Sequence, residues 1–185
     1  MSKFNIKQFY AFCSQLRIET KEQGLRKMDN LLGTQTYVMD EIAKGLENDI
    51  HFFVILKGRQ LGITTISLAL DLYWQFIHPG WQGTLVSDTE ENRDMFRSTL
   101  GMYLEGLPKE WKIPMMTHNR NQLTLKNRSR LVYQVAGLRA KGSLGRGKAI
   151  TYMHATETSS WGDKEGLASL LASLAENNPL RMYIF

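Results

Sequence analysis

Apolar residues follow two different periods along this chain, and the alternation between them predicts its architecture. Spacing near 3.6 residues predicts helices. Phe4, Ile6, Phe9, Phe12 and Leu16 mark one or two amphipathic helices within residues 1–30. In LLGTQTYVMDEIAKGL, residues 31–46, Tyr37, Ile42 and Leu46 predict a helix capped by Thr34 and closing near Gly45. ITTISLALDLYWQFI carries Ile66, Leu70 and Tyr73 or Trp74 on one face and is stopped by His78-Pro79-Gly80. WGDKEGLASLLASLAENNP carries a stripe of Leu167, Leu170, Leu171 and Leu174, ended by Asn177-Asn178-Pro179.

Short apolar runs predict buried strands: HFFVIL, residues 84–87, the stretch from Ala149 to Thr156-Glu157, and the final LRMYIF. Asp88 or Thr89 caps a helix after the second of these. Strand, loop and helix repeating in this way predict an α/β fold, a mostly parallel sheet with helices on both faces. Residues 123–126 and 130–135, joined by Asn127-Arg128-Ser129, predict an antiparallel hairpin insertion. The division expected is an N-terminal helical lid or arm, residues 1–30, and a core, residues 31–185. A chain ending in what reads as the start of a core strand is expected to be a fragment, incomplete at its C-terminal end.

Composition narrows the function classes. With 185 residues the chain is long enough for one domain with a real core. Lys and Arg total 23 against 18 Asp and Glu, a formal charge of +5 that mildly favours polyanionic partners. The single cysteine, Cys13, excludes a disulfide framework and a thiolate pair for zinc, and fits a reducing compartment. No apolar run approaches the roughly 18 residues of a membrane span, and the N-terminus has no signal-like apolar region, so a soluble cytoplasmic protein is expected.

The chemistry concentrates in HFFVILKGRQLGITT, residues 51–65, where a strand passes through a glycine-containing turn into a helix. On the phosphate-loop frame G-x-x-x-x-G-K-[ST], Gly62 is the second glycine and Thr64 the hydroxyl. Ile63 stands at the lysine position and Lys57 at the first glycine, with Arg59 between, so the cations approach from the opposite end of the loop. Residues 137–149, GLRAKGSLGRGKA, cannot be core; they form either a connection or a phosphate-directed loop in which Arg146 is best placed. In ITYMHATETSSW the strand ends at Thr156-Glu157, so Glu157 takes the position of a water-polarising carboxylate. Thr156 takes the metal-side aspartate position, where a hydroxyl can hydrogen-bond a magnesium-bound water without adding charge. Gln35, at a helix start, has an amide able to donate to and accept from an adenine edge. The cations around the hairpin, Arg120, Lys126, Arg128 and Arg130, form either a solvated face or a DNA contact, as do Arg139 and Lys141 in the glycine-rich loop.

In this order the pieces resemble the ATPase domain of the large terminase subunit of tailed bacteriophages. KGRQLGITT looks like its altered Walker A, LVSDTEENRDMF the strand and helix that follow, GSLGRG its glycine and arginine turn, and MHATETSSW its variant Walker B. The resemblance implies a P-loop NTPase core of the ASCE type with ATP and Mg²⁺ as cofactors. Nucleotide binding falls to Gln35 at adenine, Lys57 and Arg59 on the phosphates, the loop Gly58, Gln60, Leu61, Gly62 and Ile63, Thr64 on Mg²⁺ and Thr65 near the α-phosphate. Glu157 orients water, Thr156 stands on the metal side through water, and Arg59 or Arg146 is the arginine finger. The implied activity is ATP hydrolysis that drives double-stranded DNA into a procapsid, in the host cell cytoplasm. Implied partners are DNA, a portal protein, a small terminase subunit and further copies in a ring; the family's nuclease domain is not among these residues. Two other functions would use the same features: a DNA- or capsid-binding module on the P-loop fold with little or no turnover, and a helicase-like translocase.

Overall fold

The computed structural model describes residues 4–111, 113–136, 150–162 and 164–185. In chain order the elements are α1 (Ile6–Cys13), β1 (Arg17–Thr20), β2 (Gly24–Lys27), α2 (Gly33–Glu47), β3 (Phe52–Phe53), α3 (Ile63–Ile77) and β4 (Gln82–Ser87). They continue with α4 (Glu90–Gly106), β5 (Met115–His118), β6 (Gln122–Leu125), β7 (Arg130–Val135), β8 (Tyr152–Ala155), α5 (Lys164–Leu171) and β9 (Met182–Ile184). Among the described residues, seven strands form one sheet in the order β3-β9-β8-β4-β7-β6-β5. The first five run parallel, and β6 and β5 extend the far edge antiparallel, so the expected hairpin is present and is continuous with the main sheet through β7.

Strand alternation sorts the core into two layers. Leu85, Leu131, Tyr152, Met182 and Ile184 join the larger layer, beneath α1, α2, α3 and α4. Val86, Met153, Ala155 and Tyr183 face the other way and meet Leu170 of α5. Helix α3 is the pivot, buried along eleven of its fifteen residues. It runs through the larger layer, with its first turn fed by the loop after β3.

Three expectations change. The second half of residues 1–30 is an antiparallel hairpin, β1 with β2, turned at Gly24 (φ +62) and packed on α4. Among the described residues there, only α1 is helical, started by Asn5, whose side chain accepts from the N–H of Gln8. The run 51–56 is not buried throughout, since β3 lies at the sheet edge. Its Phe53 and Ile55 point inward, while Val54 and Leu56 are 74% and 96% exposed. Finally, α5 stops at Leu171, which is exposed. The chain then turns so that the Ile150 N–H donates to the Ser173 carbonyl and the Ala175 N–H to the Ile150 carbonyl, and Leu174 pairs with Ile150 instead of extending the helical stripe.

The N-terminal helix belongs to the core by contact. Phe9 and Phe12 are fully buried, and Phe12 meets Tyr73, Phe76 and Trp111 with ring centroids 5.3–5.6 Å apart. Phe12→Ala is therefore expected to lower the unfolding free energy by about 3–5 kcal/mol. Urea titration followed by tryptophan fluorescence measures it, and a loss below about 1 kcal/mol would contradict this packing.

Candidate functional site

The loop between β3 and α3 is shaped by two left-handed residues, Gln60 (φ +61) and Gly62 (φ +68). At position 62 glycine is favoured on two counts. L-residues avoid that backbone region, and a Cβ there would stand 2.6 Å from the Gln35 Nε2 atom. The start of α2 holds the loop from outside. Gln35 Nε2 donates to the Gly62 carbonyl at 2.8 Å, its Oε1 accepts from the Leu32 N–H at 2.8 Å, and the Thr34 hydroxyl donates to the Leu61 carbonyl at 3.1 Å. Thr34 therefore does not cap α2; Leu32 occupies the cap position, and Gln35 reaches back as in half of a capping box. Gln35 is buried, and both ends of its amide are engaged with backbone.

Across the sheet the second half of the site comes from β8. Its backbone pairing with β4 continues to Thr156, whose N–H donates to the Val86 carbonyl. Glu157 then takes a left-handed conformation (φ +52), a costly state for a residue with a side chain, and opens a short 3₁₀ turn, Thr158–Ser160. The Ser160 N–H and hydroxyl donate to the Glu157 carbonyl, and the Trp161 indole N–H donates to that of Thr156 at 3.0 Å. These bonds hold the glutamate at the carboxyl end of the sheet, where ligands bind in open α/β folds.

One strand, β9, separates β3 from β8, so the two backbones lie about 9–10 Å apart. Lys57 and Glu157 close that gap, Lys57 Nζ donating to Glu157 Oε1 at 3.2 Å. A cavity of about 190 Å³ lies beneath them, lined among others by Lys57, Thr64, His154, Thr156 and Glu157. Ile63, at the usual lysine position, is buried and adds no charge. Arg59 is exposed beside the loop.

Behind the cavity lies a buried polar cluster absent from the expected site residues. Asp71 of α3 is wholly buried, accepting from the Tyr152 hydroxyl through Oδ1, while its Oδ2 lies 2.8 Å from His154 Nδ1. Burial pushes the Tyr152 hydroxyl well above the usual phenol range, with Asp71 adding to the effect. A charged residue inside the apolar run LALDLYW, and a Tyr and a His two apart on one strand, are the signals that could have revealed it.

Other expected residues lie elsewhere. Asp88 accepts from the Asn92 amide, and Thr89 supplies the cap of α4. Arg128 and Arg130 stand where β7 begins, at the opposite end of the parallel strands from Glu157. Arg120 is at the near end, paired with Glu90 at 2.8 Å. Arg139, Lys141 and Arg146 fall outside the described residues.

Mg²⁺ is implied by the phosphate-loop frame. Among the described residues no group of three or more His, Cys, Asp or Glu side chains could hold a metal ion. The donors present, the Thr64 and Thr156 hydroxyls and the Glu157 carboxylate around one cavity, fit a cation that arrives on nucleotide phosphates, since such a cation needs only one or two protein oxygens.

No protein-family model matches the sequence, and no curated protein matches it. Solved structures do match in fold. The large terminase ATPase domain of Thermus phage P74-26 superposes with a TM-score of 0.54 at 14% identity, over 71% of this chain and 57% of that one. The large terminase of a second, thermophilic bacteriophage, solved in complex with ADP, superposes with a TM-score of 0.61 at 12% identity, over 84% of this chain and 38% of that one. The chain thus has the α/β fold of phage large terminase ATPase domains and spans 57% and 38% of those two chains.

The loop geometry carries its own test. Gly62→Ala is expected to destabilise the protein by about 1–3 kcal/mol through strain and the clash with Gln35, and Gln35→Ala by about 1–3 kcal/mol through the orphaned Leu32 N–H. Because both changes disturb one contact, a double-mutant cycle in urea should show their costs to be less than additive. Full additivity would separate Gln35 from the loop.

Proposed function

We propose that this chain is an ATP-hydrolysing motor domain of the terminase type, which couples turnover to the movement of double-stranded DNA into a procapsid. The observation that carries the reading is the Lys57–Glu157 pair, drawn across β9 over a cavity that Thr64 also lines. A phosphate-binding cation and a water-orienting carboxylate are needed at one place in phosphoryl transfer, and here residues a hundred positions apart meet there.

Both members of the pair are partly exposed, at 31% and 51%, so a strong anion can exchange into it at little cost. In the proposed reaction the nucleotide phosphates take Lys57 from Glu157. The N–H groups around Gly62 and the first turn of α3 receive phosphate oxygens, favoured by the helix dipole. Glu157, released from Lys57, accepts a hydrogen bond from water and sets its lone pair toward the γ-phosphorus. Arg59, exposed beside the loop, is free to neutralise charge on the transferred group, in this subunit or a neighbour. Thr64, and Thr156 through a water, are the groups that would hold a phosphate-borne Mg²⁺, which would supply charge neutralisation on the phosphates. DNA, a portal protein, a small terminase subunit and neighbouring copies in a ring are the partners of this reading, and an adenine role for Gln35 requires it to exchange its present backbone bonds.

Three measurements test the proposal. In Glu157→Gln, ATP turnover should fall about 100-fold or more while nucleotide binding is kept, because Lys57 loses its competitor; turnover equal to the parent removes Glu157 from its role. Lys57→Ala should weaken ATP binding about 10-fold or more, the loss of one charge-assisted contact, and unchanged affinity removes the displaced lysine. For DNA, Arg128→Ala should reduce the slope of log affinity against log salt by about 1; an unchanged slope leaves Arg128 a solvated residue.

A further inference from the structure

The buried cluster behind the cavity has a consequence for the cation. Tyr152 and His154 alternate along β8 and both meet α3, and Thr156, the next residue in that alternation, shares the cavity with Thr64. From that helix Asp71, seven residues after Thr64 and thus on the same helical face, meets Tyr152 and His154. A wholly buried carboxylate needs donors on both oxygens. The Tyr152 hydroxyl donates to one, and His154 Nδ1–H donating to the other at 2.8 Å completes the set. In the neutral tautomer that donates from Nδ1, the imidazole carries its lone pair on Nε2, across the ring from Asp71. His154 is also part of the wall of the cavity that Thr64, Thr156 and Glu157 line.

We propose that His154 Nε2 is a direct ligand of the divalent cation that enters with the nucleotide, with Asp71 as its positioning residue. A histidine whose other nitrogen donates to a carboxylate is the arrangement that fixes tautomer and raises basicity in metal ligands. Position 156 offers only a hydroxyl, so the negative charge on the cation side is supplied from α3, one imidazole removed. Mg²⁺ keeps to oxygen donors, whereas Mn²⁺, the first of the transition ions that bind mixed N/O sites, also takes an imidazole nitrogen, so the preferred ligand is a manganese–nucleoside diphosphate or triphosphate. This rests on the nucleotide site proposed above.

The test uses the whole chain with ADP and Mn²⁺, Mg²⁺ or EDTA. The Mn²⁺–ADP complex should show ¹⁴N modulation from a coordinated imidazole in its electron spin-echo spectrum, and ADP should bind about 10-fold or more tightly with Mn²⁺ than with Mg²⁺. In His154→Gln both the nitrogen signal and the preference for Mn²⁺ should vanish, while ADP binding through Lys57 persists. Binding of Mn²⁺–ADP by the parent without ¹⁴N modulation overturns the inference alone and leaves the nucleotide site standing; this readout does not depend on the variant folding. Absence of ADP binding under all three conditions overturns the nucleotide site, and the inference with it.

Discussion

A charged side chain has been placed at the centre of the molecule, and much of the candidate site depends on how it is paired. Moving a carboxylate out of water costs several kcal/mol unless its oxygens are fully bonded. Asp71 meets that demand only if α3 lies against β8 in the register that brings Tyr152 and His154 to it. The same register fixes where Thr64, at the head of α3, stands relative to Glu157, just beyond β8. A buried polar contact thereby sets the spacing of two groups on the solvent side of the sheet.

The contacts above this cluster are of a different kind. The Lys57–Glu157 pair is partly exposed, so water screens it and little is lost when one partner changes. Around it, Gln35 and Thr34 hold the loop from α2 through two bonds, and Trp161 and Ser160 hold the peptide on either side of Glu157. The backbone of the site is therefore fixed by buried or backbone-directed bonds, while its charged tips remain exchangeable. That division suits a site that must release one anion and bind another without rebuilding its frame.

Much of the fold was legible before any coordinates. Periodicity placed α3 on the residues it occupies, because Ile66, Leu70 and Trp74 give a long unbroken face and His78-Pro79-Gly80 a firm stop. The turn at Gly62 into the start of α3 was legible because a strand, a glycine and an apolar helical period follow one another there. The hairpin β1–β2 was missed because its RIET and GLRK strands pair with each other and bury little, leaving no strong period. The helical stripe that ends at Leu171 misled for the opposite reason: Leu174 kept the period, but Ile150 offered its backbone a sheet partner.

Sequence by itself determined the α/β class, the glycine turn into α3 and the residue types at Lys57, Thr64, Thr156 and Glu157, since these follow from local conformation and side-chain chemistry. Tertiary structure alone decided that β9 would run between β3 and β8, which sets the gap that Lys57 and Glu157 bridge. It also decided that Gln35 would brace Gly62 and that Asp71 would find His154, 83 residues away. Strand order and buried pairing depend on which surfaces the whole chain can exclude from water together, and no window of neighbouring residues contains that information.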